Sequence, residues 1–223
     1  CALPILWYLS SDGLYRLVPS RDPGIPSRFE RDARVDLQSS LTSLTSHPAG
    51  LLLGGGRGLQ RLTPGGLEVL QTWPDGVGDV AVSTVQPERL YLGHARGLGT
   101  GVFAANGAWR DEGAIPGVEA ENCGVVEVGG ELWIATVSKG VFRASRPPGD
   151  RDWRRAEVRR YGPADGLPEK HGAIYLSATG LGLLFDTAEG IHRFDPGTGR
   201  FLAYAALTSF EQRKVVLNPL VSG

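Results

Sequence analysis

Four histidines, His47, His94, His171 and His192, have the clearest capacity to bind metal or move protons. No two stand at i,i+2 or i,i+4, the spacings that bring two ligands to one face of a strand or helix. They read as surface or turn residues, and no metal ligand set is assigned. Asp165 and Glu169 are near enough in sequence to act as acid and base. The better reading is that Asp165 accepts local backbone N–H bonds in the turn Asp165-Gly166-Leu167-Pro168. Gly54–Gly58, GGGRG, lacks the Lys-Ser/Thr ending and following helix of a phosphate loop. Five arginines flank Trp153 between Arg151 and Arg160, a composition that nucleic-acid binding would use. Alternation along an exposed outer strand accounts for them with less, and a net charge of −1 adds no pull toward polyanions. No Gly-x-Ser-x-Gly, no His-Glu-x-x-His and no partnered cysteine nucleophile is present. No catalytic, cofactor-binding or metal residue is therefore assigned.

Elements that could position any site must be short. The 223 residues are 41% hydrophobic and 21% charged, as in an ordinary globular chain, but include 32 Gly and 15 Pro. Gly permits positive φ and Pro removes a ladder donor, so the chain turns often and favours short strands. Two cysteines, Cys1 and Cys123, cannot make a disulfide framework; a single bridge between them is open but has no further support. The apolar start, Cys1–Leu9, is too short to span a bilayer and reads as a strand. Cys1 as the lipid-bearing first residue of a bacterial lipoprotein is the alternative.

One phrase recurs: an apolar run, a few small or polar residues, Gly, an apolar residue, then often Arg. It appears at Leu6–Leu17, Leu51–Leu62, Leu90–Phe103, Leu132–Ala144 and Leu183–Phe194. The marker glycines are Gly13, Gly58, Gly101 (or Gly97), Gly140 and Gly190, separated by 45, 43, 39 and 50 residues. A period of roughly 40–50 residues is the blade length of a β-propeller. Each copy reads as a hairpin that cannot bury its faces alone and must stack on the next. Outer strands are expected at Leu67–Trp73 and Arg200–Leu207, and inner strands at Val77–Thr84 and Cys123–Gly130. The fourth copy is longest; a loop around Arg146–Asp150 precedes an outer strand resuming from Trp153 to Tyr161.

The fold class is thus all-β, a propeller of four-stranded blades. The repeats run approximately 1–35, 36–75, 76–116, 117–165 and 166–207, with residues 208–223 opening a further blade. No amphipathic helix is evident.

Leu132, Trp133, Thr136, Gly140, Val141 and Arg143, followed by Tyr161, Asp165, Gly166, Leu167 and Pro168, resemble the repeats of the two-component regulator propeller family. The resemblance is sharp from Leu132 to Phe201; in earlier copies Leu52 and Tyr91 replace the Trp and the DGLP turn is missing. Ser10-Ser11-Asp12-Gly13 has a weaker resemblance to the Asp-box of sialidase-like propellers, without its following aromatic.

The family resemblance implies a seven-bladed ring of which about five blades are present. It implies a non-catalytic, periplasmic sensor ectodomain joined in the full protein to a kinase or cyclase output module. The signal would be a small molecule or glycan, nucleic acid would not be a partner, and a homodimer is an open expectation. Ligands are expected on loops around Gly76–Gly78, Gly117–Asn122 and Gly166–Gly172. The alternatives are a carbohydrate hydrolase or lyase using Glu119, Glu121 and Asp165, or a protein-interaction propeller. An arc of five blades exposes two edges, so an oligomeric or poorly soluble chain is expected.

Overall fold

A computed structural model describes residues 6–22, 24–35, 40–147, 149–170 and 172–205. Cys1, His171 and the segment 208–223 lie outside the described residues. Among the described residues nineteen strands form five antiparallel sheets, each a simple meander. The first sheet holds β1 (Trp7–Ser10), β2 (Gly13–Val18) and β3 (Arg28–Arg31). The second holds β4 (Leu41–His47), β5 (Gly50–Gly55), β6 (Gly58–Thr63) and β7 (Gly66–Gln71). The third holds β8 (Asp79–Val82), β9 (Arg89–His94), β10 (Gly97–Phe103) and β11 (Trp109–Ala114). The fourth holds β12 (Asn122–Val128), β13 (Glu131–Thr136), β14 (Val141–Ser145) and β15 (Glu157–Tyr161). The fifth holds β16 (Tyr175–Thr179), β17 (Gly182–Thr187), β18 (Gly190–Asp195) and β19 (Arg200–Ala203).

The sheets stack face to face in chain order, as propeller blades do. Their first strands touch in succession, β4 with β8, β8 with β12 and β12 with β16. β1 departs from this pattern: it meets β4 in the way that second strands β5 and β13 meet β8 and β16. It therefore holds a second-strand position, and among the described residues the first sheet has no inner strand.

Both faces of the recurring hairpin are apolar because each lies against a different neighbour. Leu53, Leu92, Ile134 and Phe185, in register along the second strands, face the preceding sheet and are fully buried. Leu52, Tyr91 and Trp133 face the following sheet and are also buried. Four hydrophobic clusters result, one at each junction between successive sheets. Burial of this kind stabilises by about 1.5–3 kcal/mol for a large aliphatic side chain, which is what holds the stack together.

Inner strands expose one unpaired backbone edge to the axis. Side chains of the preceding sheet cap it. The hydroxyls of Thr42 and Thr45 donate to the carbonyls of Val77 and Val80 at 3.0 and 2.9 Å, and Val125 N–H donates to Asp79 Oδ2 at 3.1 Å. Polar groups at a buried edge are thus paired rather than left unmet.

Two local readings change. The third marker glycine is Gly97, not Gly101: Gly97 opens β10 with φ +156°, and a Cβ there would strike the carbonyl of Val118. The separations become 45, 39, 43 and 50 residues. The strand expected from Trp153 begins only at Glu157. Trp153–Arg155 is instead a 3-10 turn, capped where Asp152 accepts from Arg154 N–H. The reason is burial: the Trp153 indole drops into the junction of the third and fourth sheets, edge-on to Tyr91 at 5.5 Å.

Candidate functional site

Two kinds of loop emerge at one end of the stack: turns between second and third strands, and crossings from one sheet's fourth strand to the next sheet's first. Hydrogen bonds join them. Val77 N–H donates to Gly55 O at 2.9 Å, Val137 N–H to Glu121 O at 3.0 Å, and Ile174 N–H to Thr136 O at 3.1 Å. Lys139 Nζ adds a bond to Glu119 O at 2.6 Å. The described parts of the expected loops around Gly76–Gly78, Gly117–Asn122 and Gly166–Gly172 all belong to this end.

Between the second and third sheets, the Trp73 ring stacks on His94 at 5.2 Å. His94 Nδ1 accepts from Arg96 N–H at 3.3 Å, while its buried Nε2 has no partner. Burial holds the imidazole below its ordinary pKa, so the ring is neutral near pH 7. Above it, Arg96 and Asp75 form an ion pair at 2.5 Å that lowers the Asp75 pKa.

Between the third and fourth sheets, Gly93 lies between Asp79 and Asn122, and a Cβ on it would crowd both side chains. Burial pushes the Asp79 carboxyl above the usual carboxylate range. A bulge in β12 at Asn122/Gly124 aims the Asn122 amide back into the crossing loop. Its Nδ2 donates to the carbonyls of Gly97 and Ala120, and its buried Oδ1 has no partner. Between the first and second sheets, a cavity of about 250 Å3 is bordered by Ser10, Ser11, Ser40 and Thr42 above Leu9 and Leu41. The end face therefore offers hydroxyls, an amide, a neutral imidazole and an indole, groups suited to holding a polar uncharged ligand by hydrogen bonds and stacking.

The residues considered for acid–base work are not assembled into a pair. Glu119 and Glu121 are exposed on the crossing loop to the fourth sheet. The Asp165 carboxylate accepts Gly162 N–H at 2.9 Å and an Arg159 guanidinium N–H at 3.1 Å, a turn-stabilising role. The arginines near Trp153 are mostly engaged singly: Arg154 with Asp152, Arg159 with Asp165, and Arg160 Nε with Lys139 O at 2.7 Å. Among the described residues no cluster of three His, Cys, Asp or Glu could hold a metal. His47 is tied by Nε2 to Pro87 O at 2.6 Å, and His192 Nδ1 meets Gly190 O at 3.1 Å.

The family-like residues lie in the junction of the fourth and fifth sheets. Trp133 stacks on Tyr161 at 5.8 Å and meets Phe194 at 4.6 Å, with Val141 and Leu167 in the same cluster. Arg143 pairs with Glu131 beside the Trp133 ring. Trp133, Val141, Arg143 and Tyr161 build the scaffold, while Thr136, Gly140 and the Asp165–Pro168 turn lie in the loops of the end face. Asp79, Asn122, Trp73 and His94 were not singled out together; the only signal was an acid opening the otherwise apolar strand Val77–Thr84.

No family model matches the chain, and no curated protein does. Solved structures do share the fold. Two are extracellular domains of BT4673 from B. thetaiotaomicron, described as a one-component and as a hybrid two-component system. They are 17% and 16% identical, with TM-scores of 0.59 and 0.58 over 74% and 73% of this chain. This chain spans 21% of the length of each. A luciferin-regenerating enzyme is 12% identical with a TM-score of 0.55, over 89% of this chain and 71% of its own. Likeness at these identities is a likeness of fold.

Proposed function

We propose that this chain is part of a sensory propeller ectodomain, which binds a small molecule or glycan at its end face and performs no catalysis. The observation that carries the reading is the fold shared with extracellular domains of a two-component signalling protein. The end face supports it: it carries unpartnered polar atoms of His94 and Asn122 and, separately, a cavity between the first and second sheets. No described helix is long and apolar enough to cross a membrane. On this reading the chain lies outside the cytoplasmic membrane of a bacterium, and a kinase or cyclase module belongs to the full-length protein. Nucleic acid is not its partner, given the net charge of −1 and the paired arginines. A seven-bladed ring would require two further sheets against the outer faces of the first and fifth.

A second reading, a carbohydrate-active propeller, draws on the enzyme among the shared folds. The two are separated by screening oligosaccharides and small polar metabolites for thermal stabilisation and, in parallel, for turnover. A ligand that raises the melting temperature, with that gain lost in Asn122→Ala, supports the sensor. Glycan turnover abolished by Glu119→Gln supports the enzyme and overturns the sensor.

A further inference from the structure

We propose that the junction between the second and third sheets is a proton-operated clasp, closed at its two ends by the neutral rings of His47 and His94 and released when they take up protons. His94 ends β9 at the end face, and His47 ends β4 at the opposite end of the stack. Each is only 9% exposed. Both use the same local arrangement: Nδ1 accepts the backbone N–H two residues on, from Ala49 at 3.0 Å and from Arg96 at 3.3 Å. An accepting Nδ1 carries no hydrogen, so the hydrogen of each neutral ring is on Nε2. His47 Nε2 donates it across the junction to Pro87 O at 2.6 Å, and the ring lies 4.9 Å from Phe103 of the third sheet. His94 Nε2 has no partner, and that ring is held by its stack on Trp73 from the crossing loop.

A further proton from solvent has one place to go on each ring, the lone pair of Nδ1. There it displaces the N–H of Ala49 or Arg96 and leaves that turn without its acceptor. It also places a cation against apolar packing. Among the described residues the charged groups facing His94 are Asp75, which attracts a cation, and Arg96, which repels one; Glu88 faces His47. Asp75 is already engaged by Arg96. The aromatic neighbours would favour an imidazolium, but burial is the larger effect on both rings and keeps them neutral in the closed junction.

The two ends belong to one unit. Phe103 and Trp73, the rings against which the histidines lean, are parts of a single apolar cluster that also holds Leu52, Leu59, Val80 and Leu92. Release at one end therefore loosens the packing that supports the other. The neutral rings keep the junction closed above their unfolded value of about 6.5, and it opens as pH falls toward the lowered folded values. Between those values each imidazole raises the opening constant by up to about tenfold per pH unit. The next junction responds with the opposite sign. Asp79 accepts Val125 N–H there, and burial raises its carboxyl pKa, so acid favours its folded form. Acid thus loosens one junction without loosening its neighbour.

The test is amide hydrogen exchange on the full chain between about pH 7 and pH 5, above the ordinary carboxylate range of about 4 and corrected for intrinsic exchange rates. Peptides holding Ala49 and Arg96 are expected to lose protection together, with an opening constant that rises by up to about a hundredfold per pH unit, tenfold for each imidazole. Strands β16–β19 should keep theirs. His47→Gln and His94→Gln should each reduce the rise to about tenfold per pH unit at both ends, and the double variant should abolish it. If a variant loses its near-ultraviolet circular dichroism, nuclear magnetic resonance on the unaltered chain replaces it. Each imidazole should then titrate below about 6.5, and the Ala49 and Arg96 amide signals should move with the same midpoint. Protection at this junction that does not change with pH, or that falls equally in all five sheets, overturns the proposal. So do imidazoles that titrate at or above the unfolded value, and a variant that changes only its own end.

Discussion

At the scale of single residues, the least comfortable group is Gln60. It is fully buried on the face shared with Leu53, and neither end of its amide finds a partner. A buried amide left unpaired costs about 1–3 kcal/mol. Gln60→Leu is expected to raise unfolding stability by about that amount, read from urea denaturation midpoints; a loss would show that the amide meets a partner in solution. His47 and His94 carry a pH dependence. Burial lowers both imidazole pKa values, so the unfolded chain takes up protons more readily than the folded one. Their contribution is present above the unfolded value of about 6.5 and is lost as pH falls through the lowered folded values. Stability should decline on the acid side of neutrality, and His94→Gln should flatten part of that slope. The sequence reading of the histidines as surface or turn residues is corrected for His47, His94 and His192, which are buried; His47 packs on Phe103 and His94 on Trp73, rings that come from other repeats and so lie outside the local pattern. It could not supply Asp79 or Asn122 as a site, because they come from different repeats and meet only across Gly93.

At the scale of elements, the hairpin carries the fold. Its turn glycine is required for two reasons at Gly140, where φ is +79° and a Cβ would strike the carbonyl of Tyr161. Gly140→Ala is expected to cost at least about 1–3 kcal/mol, the scale of a strained non-glycine backbone. A fall in melting temperature with unchanged fluorescence of the folded state would record it. The position of these turns was legible because glycine spacing is local information. Strand limits were less so. The run expected to extend through Trp73 stops at Gln71, and Trp73 turns to stack on His94. Trp153, placed in a strand by alternation, is drawn into a turn by the apolar junction below it. In both cases a large aromatic follows the burial available to it, which depends on a neighbouring sheet that the local pattern does not contain.

At the scale of the whole molecule, each hydrophobic cluster of the described residues joins one pair of successive sheets, so stability is expected to be a chain of neighbouring junctions. Trp133→Ala removes the centre of the last junction and should cost about 3–5 kcal/mol. Amide hydrogen exchange should then quicken in the fourth and fifth sheets, from Asn122 to Ala203, well before it does in β4–β7. Uniform loss of protection would instead show one cooperative unit. The sequence by itself determined the repeating hairpin, the all-β class and the turn role of Asp165, because each rests on residues within one repeat. The tertiary structure alone decided that the family-like aromatic residues form a junction, that polar groups from successive sheets share one end, and that β1 holds a second-strand position. Those depend on which faces meet, and a face shared between repeats is buried or exposed only by what stacks against it.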